Sequence, residues 1–347
     1  MIRAYKYIET VHSKLHEYVI AFFIRIETDT GVFRIELFEP EFRPIVNRHR
    51  TILKKRFRII YEHVSSLSID DRRSFCQKII ESNQIEKICR GEYTPEVFIK
   101  KPTGIDLTLK GLFLDLYEQV LDGKPFQENA NTTLREHFDQ FSDANAEITL
   151  CPNCGIGELK NSQDETRDQY DHYLPKALYP LSSINFRNLV PCCKECNSLE
   201  VKGDKDIIAL SNGKLFFPYD NNYKGLSLNV NVKHDNPELE KIEWEFLFNS
   251  LDNKSDEIEA WKTIYSIEKR YQGHIKGRIK KWYKIYFNYI THSKTACLDI
   301  SKREELFMLF LELSEEQGLE FIVKPTIDGL LEGSNIVQAE IEAKKYV

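Results

Sequence analysis

Apolar positions recur at helical spacing along much of the chain. Between 42 and 66, Ile45, Ile52, Leu53, Ile59, Ile60 and Val64 fall roughly on one side of a 3.6-residue repeat, which predicts a helix. Similar patterns predict helices over 69–90, 107–121 and 132–141. Pro95, Pro102 and Gly104 lie between the first two of these, where chain breakers belong. Ahead of them, 19–27 and 32–37 are rich in β-branched and aromatic residues around a Thr-Asp-Thr-Gly turn, the pattern of a hairpin. Residues 146–204 read as loop-rich. Beyond them, 214–217, 226–232 and 242–248 are short strand-like runs. Residues 256–290 read as one long helix, or as two meeting near Gly273 and Gly277, and 304–316 and 336–344 read as further helices. The expected fold class is α+β, in three parts. A mainly helical region with an early hairpin covers 1–145, a loop-rich centre 146–204, and a mostly helical region with short strands 205–347.

The 347 residues leave room for two or three domains with their own cores. An apolar share of 41% against 29% charged places the chain among folded rather than disordered proteins. The apolar run 18–24 is too short to span a bilayer, and Glu9, Lys14 and Glu17 interrupt what precedes it. Neither a membrane span nor a signal peptide is expected, which points to the cytoplasm.

A net charge of −6 argues against a general nucleic-acid coat, but the distribution changes that picture. Residues 42–61 hold Arg43, Arg48, Arg50, Lys54, Lys55, Arg56 and Arg58 with no acidic residue. Residues 262–284 hold eight basic residues against Glu268 alone. In the second stretch Lys269, Arg270, Lys276, Arg278, Lys280 and Lys281 alternate with Tyr265, Tyr271, Trp282 and Tyr283. Cations there can contact phosphates while the aromatics stack or support. The plainer reading is a solvated helix whose aromatics belong to the core.

Cysteine usage is the sharpest signal. Cys76, Cys89 and Cys297 are scattered, but Cys151-Pro-Asn-Cys154 and Cys193-Lys-Glu-Cys196 form two Cys-x-x-Cys knuckles. Each two-residue gap lets one tight turn aim two sulfurs at one ion, and four thiolates suit a structural Zn2+. The 38 residues between the knuckles exceed ordinary zinc-ribbon spacing, so something substantial is nested there. Cys192 reads as a buried neighbour rather than a fifth ligand.

The nested segment carries Asp171-His-Tyr-Leu-Pro-Lys176, then Asn188-Leu-Val-Pro191, then Cys196-Asn197. These residues resemble the HNH endonucleases, the His-metal finger superfamily, in the variety whose hairpin and helix are tied by a four-cysteine zinc. The motif positions match His172, Asn188 and Asn197, over roughly 150–204. The block Leu-Phe-Phe-Pro-Tyr-Asp at 215–220 resembles, less specifically, a segment following this motif in HNH proteins of antiphage defence systems. The resemblance implies a ββα-metal element, phosphodiester cleavage with DNA as the substrate, and an Asn188 that holds the loop orienting His172. RNA stays open. Two departures stand out. Residues 179–185 replace a glycine pair common in relatives, and Glu200 replaces a frequent lysine, with Lys202 two positions later as a candidate phosphate contact.

The chemistry makes the same demand on residue types. Phosphodiester hydrolysis needs a base to activate water and a cation to stabilise charge on the phosphate. His172 accepts a proton near neutral pH. Asp171 and Asn197 offer hard oxygens suited to Mg2+ or Mn2+ rather than to zinc. A helix beginning near Asn197 would favour phosphate through its free amides. Adjacent strand residues face opposite sides, so Asp171 and His172 share a site only if the strand ends or is distorted there; Pro175 favours an early end. The rival readings are a zinc-stapled nucleic-acid-binding module without catalysis, and a nuclease subunit silent until a partner, such as an ATPase, licenses it.

Overall fold

The computed structural model describes residues 2–98, 102–250, 252–291, 299–316 and 321–334. The chain divides into two compact units. One comprises Ala4–Ala146 and Leu159–Asn221, the other Met1–Arg3, Glu147–Glu158 and Asn222–Val347.

The first unit is built on helices. Helix α1 spans Leu15–Thr28 and buries Leu15, Val19, Phe22, Phe23 and Ile26, the i, i+4, i+7, i+8, i+11 stripe of a one-sided helix. The hairpin expected over 19–37 is therefore absent. The β-branched and aromatic run satisfies a helical period as well as a strand composition, and burial of five side chains on one face decides between them. Phe22 stacks on Phe38 at 4.8 Å between ring centroids and meets Phe57 edge-on at the same distance. After α2 (Arg43–Arg48) the chain makes one wide turn over Arg50–Lys54, then enters α3 (Lys55–Ser66). Helices α4 (Ile69–Glu81), α5 (Ile85–Cys89) and α6 (Gly104–Asp115) follow, and α6 runs into a wide turn over Leu116–Val120. Helix α7 covers Lys124–Ala130 and α8 covers Leu134–Ala144. Thr133 caps α8 with a reciprocal Thr133–Glu136 box that satisfies two otherwise free amides. Strands β1 (Tyr170–His172) and β2 (Leu189–Pro191) pair antiparallel, with Asp171 opposite Val190 and His172 opposite Leu189. Residues 214–217, expected as a strand, are irregular, and α9 is a short helix over Ile207–Leu210.

In the second unit β3 (Leu226–His234) and β4 (Glu243–Ser250) form a hairpin. Val230 faces Phe246 and Val232 faces Trp244. Helices α10 (Ser255–Tyr265), α11 (Ile267–Thr291), α12 (Ile300–Glu316) and α13 (Val323–Gly333) complete it. The break between α10 and α11 falls at Ser266, which adopts φ +51°, and not at Gly273 or Gly277, which lie inside α11. Helix α13 approaches β3 so closely that a side chain at Gly329 would run into the Val230 carbonyl. The helix expected over 336–344 and Cys297 lie outside the described residues.

Candidate metal centre and motif site

The Sγ atoms of Cys151, Cys154, Cys193 and Cys196 lie within 4.8 Å of one another, and all four residues are buried. Tetrahedral zinc–thiolate coordination sets sulfur–sulfur edges of about 3.8 Å from Zn–S bonds of about 2.3 Å, so the donor set and its spacing fit zinc. The first knuckle is a tight turn. The amides of Cys154 and Gly155 donate to the Cys151 carbonyl at 3.1 and 2.7 Å, and Gly155 supplies the φ of +65° that closes it. Two buried aromatics fix this turn from outside: Trp261 Nε1 donates to the Asn153 carbonyl at 2.9 Å, and Tyr271 Oη to the Cys154 carbonyl at 2.8 Å. Tyr265, Tyr271 and Trp282 are thus core residues and offer no stacking platform for bases.

The motif residues between the knuckles gather at the end of β1. His172 is 8% exposed, and its Nε2 lies 3.0 Å from the Ser183 carbonyl oxygen. A carbonyl only accepts, so the ring proton sits on Nε2 and Nδ1 carries the lone pair. Among the described residues Nδ1 has no hydrogen-bond partner. Burial, with the Lys176 and Lys202 charges adding to it, lowers the His172 pKa to about 3 against the opposing pull of the Ser183 contact. The ring is therefore neutral at physiological pH. The Tyr117 ring meets it edge-on at 4.4 Å.

Asn188 is fully buried. Its Oδ1 accepts from the Leu174 amide at 2.7 Å, and its Nδ2 donates to the carbonyls of Leu174 and Ser182 at 3.1 and 3.2 Å. The side chain replaces a strand partner for Leu174 just where β1 has ended, and ties that end to the residue before Ser183. The loop is held from behind as well. Ser183 Oγ donates to the Phe113 carbonyl at 3.0 Å, and Asn185 Nδ2 donates to the Asn83 carbonyl at 2.9 Å.

Asp171 is 5% exposed. Its Oδ1 pairs with Lys202 Nζ at 2.9 Å, and its Oδ2 is buried with no hydrogen-bond partner among the described residues. Burial pushes the Asp171 pKa up and the Lys202 ammonium opposes the shift. Lys202, expected as a phosphate contact, is itself 0% exposed, with its ammonium turned inward onto Asp171 and away from solvent. Asn197 lies in a succession of turns after the second knuckle, half-buried, with its amide donating to the Cys193 carbonyl at 3.2 Å. The helix expected to start beside it is absent; the next helix is α9. Among the described residues no hydrogen bond joins the Asn197 side chain to Asp171 or His172. The structure thus joins Lys202 to the Asp171 carboxylate and the His172 backbone, and holds the His172 ring through Ser183 on the loop that Asn188 ties at Ser182; among the described residues no hydrogen bond links Asn197 to them. Tyr117 and Ser183 were not anticipated.

The basic stretches divide. In 42–61, Arg48 pairs with Glu128 at 3.0 Å, Arg56 with Asp115 at 2.8 Å, and Arg58 lies over the Phe33 ring. On α11, Lys280 pairs with Glu240 and Arg270 Nη1 lies 3.4 Å from the Tyr265 carbonyl. Lys269, Lys276, Arg278 and Lys281 are exposed. No described helix is long and apolar enough to cross a membrane.

Over 83 residues the chain is 39% identical to protein ea31 of Escherichia phage lambda, covering 24% of this chain and 23% of that protein. Over 72 residues it is 29% identical to the Septu protein PtuB of Bacillus thuringiensis, covering 21% of this chain and 27% of that protein. The chain thus spans about a quarter of the length of these curated relatives. No family model matches, and no solved structure matches.

Proposed function

We propose that this chain is a metal-dependent HNH endonuclease that hydrolyses phosphodiester bonds in DNA, acting in antiphage defence. The observation that carries the reading is the geometry of the His172 ring: its proton is committed to the Ser183 carbonyl, and among the described residues its Nδ1 lone pair has no hydrogen-bond partner. A base in that state takes a proton from water as the water attacks phosphorus. Asn188 positions the loop that holds the ring. Asp171 and Asn197 are the residues that would hold Mg2+ or Mn2+, and the buried, unpartnered Oδ2 of Asp171 is a donor in want of a cation. When bound, that ion supplies charge stabilisation for the phosphate and leaving oxygen. The four cysteines hold zinc, which is structural. Lys269, Arg270, Lys276, Arg278, Lys280 and Lys281 of α11 contribute the grip on the phosphate backbone. The similarity to the Septu protein PtuB and the motif's resemblance to HNH proteins of defence systems support the setting.

A second reading is favoured by the burial of both Asp171 and His172: a nuclease subunit that opens only when a partner, such as an ATPase, licenses it. One experiment addresses both readings and the non-catalytic rival. Purified protein is offered plasmid, linear and single-stranded DNA and RNA with Mg2+ or Mn2+, alone and with a partner ATPase. Metal-dependent cleavage lost in His172→Ala is the expected result. Binding with no cleavage under any condition would leave the binding module as the function.

A further inference from the structure

The fully buried Lys202 is the least expected feature of the motif region. A lysine leaves solvent only when its ammonium finds partners, because an unpaired buried charge is costly. Here Nζ donates to Asp171 Oδ1 at 2.9 Å and to the His172 backbone carbonyl at 2.7 Å. One cation therefore grips two consecutive residues, the side chain of the first and the backbone of the second. Successive strand side chains point to opposite faces. The His172 carbonyl, at the last residue of β1, bonds to this ammonium, while the next amide, that of Tyr173, continues the ladder in register to the Asn188 carbonyl at 2.8 Å.

The turn that delivers Lys202 is built for the purpose. Gly203 adopts φ +46°, and a Cβ there would meet Leu199 Cα at 2.9 Å, so the 199–203 turn closes tightly only with glycine. The Val201 amide donates to the Ser198 carbonyl at 3.2 Å within the same turn. Asp171 Oδ2, the oxygen that Lys202 does not take, remains unpartnered among the described residues.

We propose that Lys202 is a positioning residue for the Asp171–His172 pair: its ammonium sets the carboxylate of one and the backbone of the other, leaving Asp171 Oδ2 for a divalent cation. This rests on the nuclease reading above. It replaces the surface phosphate contact that a lysine near this motif invites, and it separates the two roles experimentally. A phosphate contact acts on substrate binding; a positioning residue acts on turnover and on the metal requirement.

The test compares Lys202→Met, Asp171→Asn and the double variant with the parent, by thermal melting, zinc content, binding of a DNA duplex without divalent metal, and cleavage across a Mn2+ titration. Lys202→Met should melt about 5–15 °C lower, because it strands a buried carboxylate. The double variant should regain most of that loss, because the asparagine that replaces Asp171 carries no charge to strand. Lys202→Met should bind DNA within about twofold of the parent, with KM little changed, while kcat falls at least about 10²-fold and the half-activating Mn2+ concentration rises. Unchanged kcat and Mn2+ requirement would overturn the proposal, as would weakened binding with kcat intact. Should Lys202→Met fail to fold, the double variant decides: no recovery of melting means the pair is not coupled, and the proposal falls. A parent that cleaves no nucleic acid would sink the nuclease reading alone, while the melting arm still tests the Lys202–Asp171 link.

Discussion

The Nε2 atom of His172 points at the Ser183 carbonyl, 3.0 Å away, and this contact decides which nitrogen can act as a base. The carbonyl holds the ring proton, and the Ser183 position is fixed in turn by Asn188 through Ser182 and by the Phe113 carbonyl. His172→Ala should lower the cleavage rate by about 10²–10⁴-fold. Zinc content should stay close to the parent, since the ring is not a thiolate-site ligand, while the melting temperature should fall by a few degrees, since the substitution empties the space against Tyr117 and takes the donor from the Ser183 carbonyl. A variant that cleaves as fast as the parent would move the catalytic site elsewhere.

The four buried thiols give a second expectation. Purified protein should carry about one zinc per chain by elemental analysis, and Cys151→Ser or Cys196→Ser should lose it and melt lower. Zinc at stoichiometry in both variants would show that the metal is held by other groups.

Much of this was legible in the residues themselves, for identifiable reasons. The knuckles and the Asp171, His172 and Asn188 positions are side-chain chemistry at defined spacing, and the β1–β2 pairing sets Asp171 and His172 against the segment that follows Asn188. The helical character of 42–66 and 69–90 follows from long apolar stripes, although the wide turn at Arg50–Lys54 interrupts the first and the second is broken between Glu81 and Ile85. The failures have physical causes as well. The residues of α1 have strand-like composition, and only the burial of Val19, Phe22, Phe23 and Ile26 on one face reveals the helix. Ser266 breaks 256–290 with a left-handed backbone that serine adopts rarely, whereas the glycines nearby sit in regular helix. Ser183 contributes a carbonyl, which carries no residue identity. Tyr117 arrives from a turn more than fifty positions before His172. Lys202 reads as a surface cation because nothing in its neighbours announces that the turn at Gly203 folds it inward.

Two further buried histidines, His12 and His137, make the fold acid-sensitive. Burial lowers the His12 pKa to about 4 and the His137 pKa to about 3. Among the described residues neither ring nitrogen of His12 has a hydrogen-bond partner. Both histidines stay neutral in the folded chain, while in the unfolded chain they take up a proton below about pH 6.5. Below that pH the unfolded state binds more protons, so their contribution to stability is intact above about 6.5 and falls as the pH drops towards 4. The slope is about 1.4 kcal/mol per pH unit for each histidine. His12→Leu should flatten the fall in melting temperature between pH 6.5 and 4.5 relative to the parent. Both proteins carry the same thiolate site, so the difference isolates the histidine. Parallel curves would exclude His12 as a contributor.

The last prediction separates the two metals. Thiolates bind zinc far more strongly than they bind Mg2+ or Mn2+, while a carboxylate and an amide oxygen are the donors those harder ions prefer. A moderate chelator concentration should therefore strip the ion at Asp171 and Asn197 and leave the buried zinc in place. Cleavage should stop, zinc content should persist, and added Mn2+ should restore activity. The choice of variant matters. Asp171→Ala would leave the Lys202 ammonium buried without its carboxylate, at a cost of about 3–5 kcal/mol, and would confuse a folding defect with a catalytic one. Asp171→Asn keeps a hydrogen-bond acceptor for Lys202 but no balancing charge, so it too should melt lower than the parent and its turnover is read below its own melting temperature; it removes the charge that attracts the cation. It should bind DNA as the parent does, through the exposed cations of α11, while needing a much higher Mn2+ concentration or failing to turn over. Asn197→Ala should behave the same way, although no hydrogen bond ties it to Asp171, because a bound ion would be the link between them. A chelated, zinc-replete protein that still cleaves would refute this division of labour.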